Sequence, residues 1–267
     1  MSKKIGFIGC GNMGSAMVGG LIKSGFQSAE NIIVSTHTEA SAKKVKEQFD
    51  VEVTLDNKEV AKKADVLFLA IKPYMYKEVI EEIKDEFITD MLFISIAAGI
   101  TIKSMEYWLG EGYRIVRTMP NTPALVGEAM SAVCPNENVT KEELKYVIDI
   151  FNSFGECVEL QEKDFHAFTA LCGSSPAYVF MFIEAMADAA VKLGIPRAKA
   201  YTMASQSVLG SAKMVLDTGK HPAELKDMVC SPAGTTIDAV AVLEKEGFRN
   251  AAIEAVVKCA EKSKSME

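Results

Sequence analysis

The sequence predicts an α/β N-terminal part, built on a doubly wound and mainly parallel sheet, followed by an all-α C-terminal part. Three observations predict it. Short apolar runs alternate with helix-length amphipathic segments through the first half of the chain. A glycine-rich turn joins the first run to the first helix. Beyond residue 160 the strand-like runs stop, and only helix-length segments follow.

In order, residues 4–8 form a short apolar strand, and 12–24 form a helix with Met13, Met17, Leu21 and Ile22 on one face, stopped by Gly25. Residues 31–35 are a second strand, 39–49 a charged amphipathic helix and 51–53 a short strand. A buried strand at 65–70, a helix at 74–86 and strands at 91–95 and 113–117 continue the series. These strands are continuously apolar instead of alternating, so both sheet faces are covered and the strands run mainly parallel. A last strand ends at 157–160, after which helices are expected at about 163–171, 176–193, 197–217, 221–229 and 236–264, the last broken near Gly247. The expected domains are therefore 1–163 and 164–267.

The 267 residues are 49% hydrophobic and 24% charged with a net charge of −7, which excludes a disordered chain. The acidic balance argues against nucleic acid as a partner, because no basic excess is available to replace counterions. Most of that negative charge falls in the first 163 residues. Cys10, Cys134, Cys157, Cys172, Cys230 and Cys259 are scattered without a C-x-x-C pair, so neither a zinc site nor a disulfide framework is expected. After Lys3-Lys4 the apolar run ends at Gly9 with no cleavage-site pattern, and no stretch of 18 uncharged apolar residues occurs. A cytoplasmic protein that does not enter the membrane is expected.

Residues 165–217 carry only seven charged side chains, and in the first long helix Glu184, Asp188 and Lys192 form one narrow polar stripe on an apolar cylinder. The next helix offers small residues, Ala204, Ser205, Ser207, Gly210, Ser211 and Ala212, that let another helix approach closely. The remaining chain is too short to cover both, so a second copy is expected to do so.

Gly9-Cys10-Gly11-Asn12-Met13-Gly14 closes the first strand and opens the first helix. In that context Gly9 permits the tight turn, Gly11 lets a pyrophosphate approach the backbone, and Gly14 allows close helix–sheet packing. This is the dinucleotide-binding signature of a Rossmann domain. At the end of the second strand, Ser35-Thr36-His37-Thr38 holds no carboxylate to bind a ribose 2′-OH. Hydroxyls there accommodate a 2′-phosphate, which favours NADPH, with NADH as the alternative. Three further strand ends, Ala70-Ile71-Lys72-Pro73, Ser95-Ile96-Ala97-Ala98-Gly99 and Met119-Pro120-Asn121-Thr122-Pro123, should line the nicotinamide end of the crevice.

These motifs, with Gly173-Ser174-Ser175-Pro176-Ala177-Tyr178 and Ser231-Pro232-Ala233-Gly234-Thr235-Thr236, resemble in order and spacing the pyrroline-5-carboxylate reductases, over residues 4 to about 263. The resemblance implies reduction of Δ1-pyrroline-5-carboxylate to L-proline with NAD(P)H, and a homodimer, often a larger ring of dimers, interlocked through the C-terminal helices. It places the cofactor on Ile8, Gly9, Cys10, Gly11, Asn12, Met13 and Gly14, with Thr36 near the 2′-phosphate and Asn57 near the adenosine. Ala70, Ile71, Lys72, Ala97 and Ala98 match contacts along the dinucleotide. Ser231, Gly234, Thr235 and Thr236 match the substrate site, with the Thr236 hydroxyl reaching the ring nitrogen; no metal is implied. The physics of that last motif is readable by itself, because free N–H groups at a helix start suit a carboxylate.

Two departures stand out. Ser175 replaces a glycine of the family pattern, and Ala233 replaces the first of two glycines. Each needs a backbone conformation open to L-residues, or else costs on the order of 1 kcal/mol. His37, His166 and His221 fall outside the motifs and read as surface or helix-end residues, while Lys72 reads as a cofactor contact. Two rival functions remain at this level. A β-hydroxyacid dehydrogenase shares the architecture but wants a lysine early in the long helix, where 176–191 has no Lys or Arg. A non-catalytic dinucleotide-binding scaffold would not need the hydroxyl-rich motif at 231–236.

Overall fold

The structure, a computed structural model, describes residues 3–87 and 90–266. The chain divides into two compact units, Met1–Ser174 with Cys259–Glu267, and Ser175–Lys258.

The first unit is organised by β1 (Ile5–Ile8), α1 (Asn12–Lys23), β2 (Ile32–Ser35), α2 (Glu39–Phe49), β3 (Glu52–Thr54), α3 (Asn57–Lys63) and β4 (Val66–Leu69). It continues through α4 (Tyr76–Ile83), β5 (Leu92–Ser95), α5 (Ile102–Leu109), β6 (Arg114–Met119), β7 (Ala129–Pro135), α6 (Lys141–Asn152), β8 (Gly155–Glu159) and the short α7 (Phe165–Phe168). The eight strands run in the order β3-β2-β1-β4-β5-β6-β7-β8. All neighbours are parallel except β6 and β7, which pair antiparallel with Met119 opposite Ala132. The mainly parallel sheet expected from the sequence is present, and strand order reverses between β1 and β4.

Both faces are covered, as the continuously apolar strands require. Met17, Val18 and Leu21 of α1 pack with Val147, Ile150 and Phe151 of α6 on one face. Val60 and Ala61 of α3, Ile80 and Ile83 of α4, and Met105 of α5 fill the other. Four helices of this unit begin at a polar cap: Thr38 accepts from Ser41 N, Asp56 from Lys58 N, Thr101 from Ser104 N, and Thr140 from Glu143 N in a full capping box. Helices α3, α5 and α6 and strand β7 are elements the sequence reading did not assign. The buried Arg117 of β6 pairs with Glu162 at 2.9 Å and stacks over Phe165, fastening the chain after β8 back onto the sheet. The C-terminal residues return to this unit: Cys259 Sγ donates to Ser174 Oγ at 3.2 Å, and His166 Nδ1 lies 3.1 Å from Ser263 Oγ.

The second unit is helical: α8 (Ser175–Lys192), α9 (Arg197–Thr218), α10 (Pro222–Val229), α11 (Thr235–Lys245) and the first part of α12 (Phe248–Lys264). The break expected near Gly247 is real, with Gly247 left-handed at φ +77°. Within α8 only Ala187 is buried, and within α9 only Ala200 and Ala204. Phe180, Met181, Leu209 and Leu216 stand more than half exposed. The helical run Glu162–Lys192 is long and apolar enough, by length and composition alone, to cross a membrane.

Candidate functional site

At the point of strand reversal, Gly9 adopts φ +89°, and a Cβ there would meet Ala70 O at 2.6 Å and Ile71 Cγ2 at 2.8 Å. The ends of β1 and β4 are that close because Ala70 N donates to Ile8 O at 2.8 Å. Gly14 is buried, and a Cβ on it would lie 3.0 Å from Gly9 O and 3.4 Å from Ala70 Cβ. Gly11 differs from both: it is exposed, and a Cβ built on it meets nothing within 4 Å. Unlike the capped helices, α1 starts at Gly11 with no side-chain cap and no acidic residue in its first turn. Its first N–H groups therefore have no side-chain acceptor from a cap, with the helix dipole behind them and Gly11 and Asn12 exposed. Cys10 is held beside this turn, its Sγ 3.4 Å from Ser15 Oγ, which in turn donates to Cys10 O at 3.2 Å. Burial pushes the Cys10 thiol up, against a smaller opposing pull from Ser15.

At the end of β2 the Ser35 and Thr36 hydroxyls are each committed to a partner within the protein. Ser35 Oγ donates to Asn57 Oδ1 at 2.7 Å, and Asn57 Nδ2 donates to Glu82 Oε2 at 2.9 Å. Thr36 is buried, with its hydroxyl donated to Thr38 O at 3.2 Å. A phosphate at this position would take that donor by a turn of the Thr36 side chain, beside the N-terminus of α2. On the other side of the reversal point, Ala70, Ile71, Ala97 and Ala98 lie immediately beyond β4 and β5, and Lys72 is exposed. Sequence reasoning missed a buried network behind these strand ends, made of Tyr76, Ser95 and Thr118. No motif or periodicity marks it. The open Gly11, the uncapped α1 and the close strand ends fit a dinucleotide diphosphate.

In the second unit, α11 likewise begins at a glycine, Gly234, with no side-chain cap. Gly234 N donates to Ser231 O at 3.1 Å, and a Cβ on Gly234 would collide with Ser231 Oγ. Thr235 is exposed and Thr236 half-buried, while Asp238 is the one acidic residue in the first turn. The turn thus offers free N–H groups and three hydroxyls, an arrangement suited to a small carboxylate. Of the two departures, Ser175 costs nothing, since it starts α8 in ordinary helical backbone. Ala233 does carry strain: its φ is +56°, a left-handed conformation that costs a residue with a Cβ about 1–2 kcal/mol. Ala233→Gly should therefore raise stability by about 0.5–1 kcal/mol, part of the relief being offset by the greater unfolded-state freedom of glycine. Calorimetry showing an unchanged or lower Tm would remove the strain argument.

Two of the three histidines sit as expected of helix-end or surface residues, whereas His166 is half-buried against Ser263. His221 caps α10 by accepting from Ala223 N at 3.1 Å, and His37 is exposed.

Fold and turn together define a dinucleotide-binding protein of the dehydrogenase type with a separate helical unit. Residues 4–99 match the family model described as NADP oxidoreductase coenzyme F420-dependent, and residues 162–266 match pyrroline-5-carboxylate reductase dimerisation. The chain belongs to the pyrroline-5-carboxylate reductase family. It is 53% identical over 266 residues to the pyrroline-5-carboxylate reductase of Escherichia coli strain K12, covering 100% of this chain and 99% of that one. Among solved structures, that of a pyrroline-5-carboxylate reductase from Coxiella burnetii matches with TM-score 0.92 and 37% identity, covering 100% and 99% of the two chains. The Plasmodium falciparum pyrroline carboxylate reductase with NADP bound matches with TM-score 0.90 and 37% identity, covering 99% and 98%.

Proposed function

We infer that this protein reduces 1-pyrroline-5-carboxylate to L-proline with NADPH as the preferred cofactor, the last step of proline biosynthesis. The observation that carries the reading is the uncapped N-terminus of α11 behind Ser231, Thr235 and Thr236, a carboxylate receptor that a bare dinucleotide scaffold does not require. The β-hydroxyacid dehydrogenase reading lacks its cation, because α8 has no Lys or Arg before Lys192.

In this reading the diphosphate lies over Gly9, Cys10, Gly11, Asn12, Met13 and Gly14, next to Ile8. Thr36 and Asn57 serve the adenosine half, and Ala70, Ile71, Lys72, Ala97 and Ala98 the remainder. NADPH bound there supplies the hydride for the C=N carbon. Ser231, Gly234 and Thr235 hold the substrate carboxylate through N–H and hydroxyl donors, and Thr236 orients the ring nitrogen. Substrate taken up already protonated at that nitrogen is the better electrophile, so no strong general acid is needed, and positioning provides most of the rate. We assign residues 1–163 to cofactor binding and 164–267 to dimerisation and substrate binding. The apolar faces of α8 and α9 would then meet a second copy, with rings of dimers as the larger assembly, and the apolar 162–192 run would face that copy instead of lipid. We also propose a cytoplasmic location.

Thr236→Ala should lower kcat/KM about tenfold or more, a loss of roughly 1.4 kcal/mol of transition-state stabilisation, while NADPH affinity stays unchanged. Steady-state kinetics with an unaltered kcat/KM would take Thr236 out of the mechanism.

A further inference from the structure

The buried network behind the strand ends is not used by any step above. Tyr76 opens α4, just after the Lys72-Pro73 turn, and is fully buried in the apolar cluster that also holds Leu69, Phe93 and Ala97. Phenylalanine would fill that space without carrying a hydroxyl out of water, so the hydroxyl needs a reason. Its partners supply one. Tyr76 Oη donates to Leu69 O at 2.6 Å, the last residue of β4, and accepts from Ser95 Oγ at 3.2 Å, the last residue of β5. Thr118 Oγ1 of β6 donates to Ser95 O at 3.0 Å. One oxygen thus ties the ends of two adjacent strands, and a third strand is linked through Ser95. The residues that follow those ends are Ala70-Ile71-Lys72 and Ile96-Ala97-Ala98. Burial pushes the Tyr76 hydroxyl up to about 12, so it stays protonated and serves as a fixed donor, not as a proton-transfer group.

We propose that Tyr76 is a positioning residue for the nicotinamide half of the cofactor, holding the β4 and β5 ends at the spacing the ring requires. The proposal rests on the dinucleotide lying across the strand-reversal point, with its adenosine half toward β2 and its nicotinamide half toward β4 and β5. A positioning role on one side makes a selective prediction that general destabilisation does not.

Calorimetric titration of Tyr76→Phe with NADP+ and with 2′,5′-ADP, which carries only the adenosine half, tests it. The Kd for NADP+ should rise about tenfold and that for 2′,5′-ADP should stay within about twofold, with kcat reduced about tenfold. Ser95→Ala removes only the second arm and should show the same selective pattern at about threefold, which keeps the test available where Tyr76→Phe fails to fold. Unchanged NADP+ affinity, or parallel weakening of both ligands, overturns the role of Tyr76. Failure of the wild-type protein to bind either ligand overturns the cofactor reading and this proposal with it, whereas wild-type binding without turnover overturns only the assigned reaction.

Discussion

Gly11→Ala is expected to leave the protein folded while weakening NADPH binding about 100-fold, close to 2.7 kcal/mol. The expectation rests on a contrast between two glycines two positions apart. The Gly11 backbone is already in an extended conformation open to any L-residue, at φ −72° and ψ −162°. Among the described residues, its added methyl meets no atom within 4 Å beyond its own chain neighbours. It would obstruct a ligand drawn to the uncapped start of α1, whose diphosphate must come within hydrogen-bond reach of those N–H groups. Gly9→Ala should behave in the opposite way. A left-handed φ and a Cβ placed 2.6 Å from Ala70 O act on the fold itself, so Tm falls along with binding. Fluorescence titration with NADPH beside thermal unfolding separates the two. A Gly11→Ala protein that binds NADPH like wild type would move the diphosphate away from this turn.

Phe180→Asp combined with Leu209→Asp is expected to raise the dimer dissociation constant by about a thousandfold or more, roughly 4 kcal/mol. Phe180 is 63% exposed and Leu209 56% exposed, on α8 and α9, helices whose only buried residues are alanines. Apolar side chains left in this state mark an interface, and the family model covering residues 162–266 is one for dimerisation. Aspartate at these points would bury two unpaired charges in the contact. Analytical ultracentrifugation should find the wild type as a dimer or larger at micromolar concentration and the double variant as monomer or aggregate. A wild-type protein that sediments as a stable monomer would contradict the assignment of these faces.

How much of this was legible in the sequence depends on how local the determining physics is. The β1–turn–α1 unit was readable because glycine spacing and helix periodicity are both local signals. The helices from 175 to 264 were readable to within a few residues because each is long, and Gly247 separates the last two. Helix α3 was missed because its seven residues hold only two buried positions, Val60 and Ala61. Helix α6 carried a usable signal, Thr140 followed by Glu143, that went unread. Strand β7 has a single β-branched residue, Val133, and it is held by pairing with β6 and β8, which no local pattern encodes.

The candidate site divides in the same way. Its glycines and hydroxyls stand in contiguous motifs and could be named in advance. The cost at Ala233 could be stated only as a condition until its φ was known, and Ser175, raised on the same grounds, proved to be ordinary helix. Tyr76, Ser95 and Thr118 come from three separate elements and meet only through sheet order, so nothing in the chain's local pattern announces them.

The activity that the family predicts of this chain is reduction of 1-pyrroline-5-carboxylate by NADPH. Initial rates measured on the purified protein with 1-pyrroline-5-carboxylate, with NADPH and NADH side by side, test it most directly. The predicted result is oxidation of NADPH matched mole for mole by L-proline, at a higher kcat/KM than with NADH. A folded protein that binds NADPH yet forms no proline would contradict it.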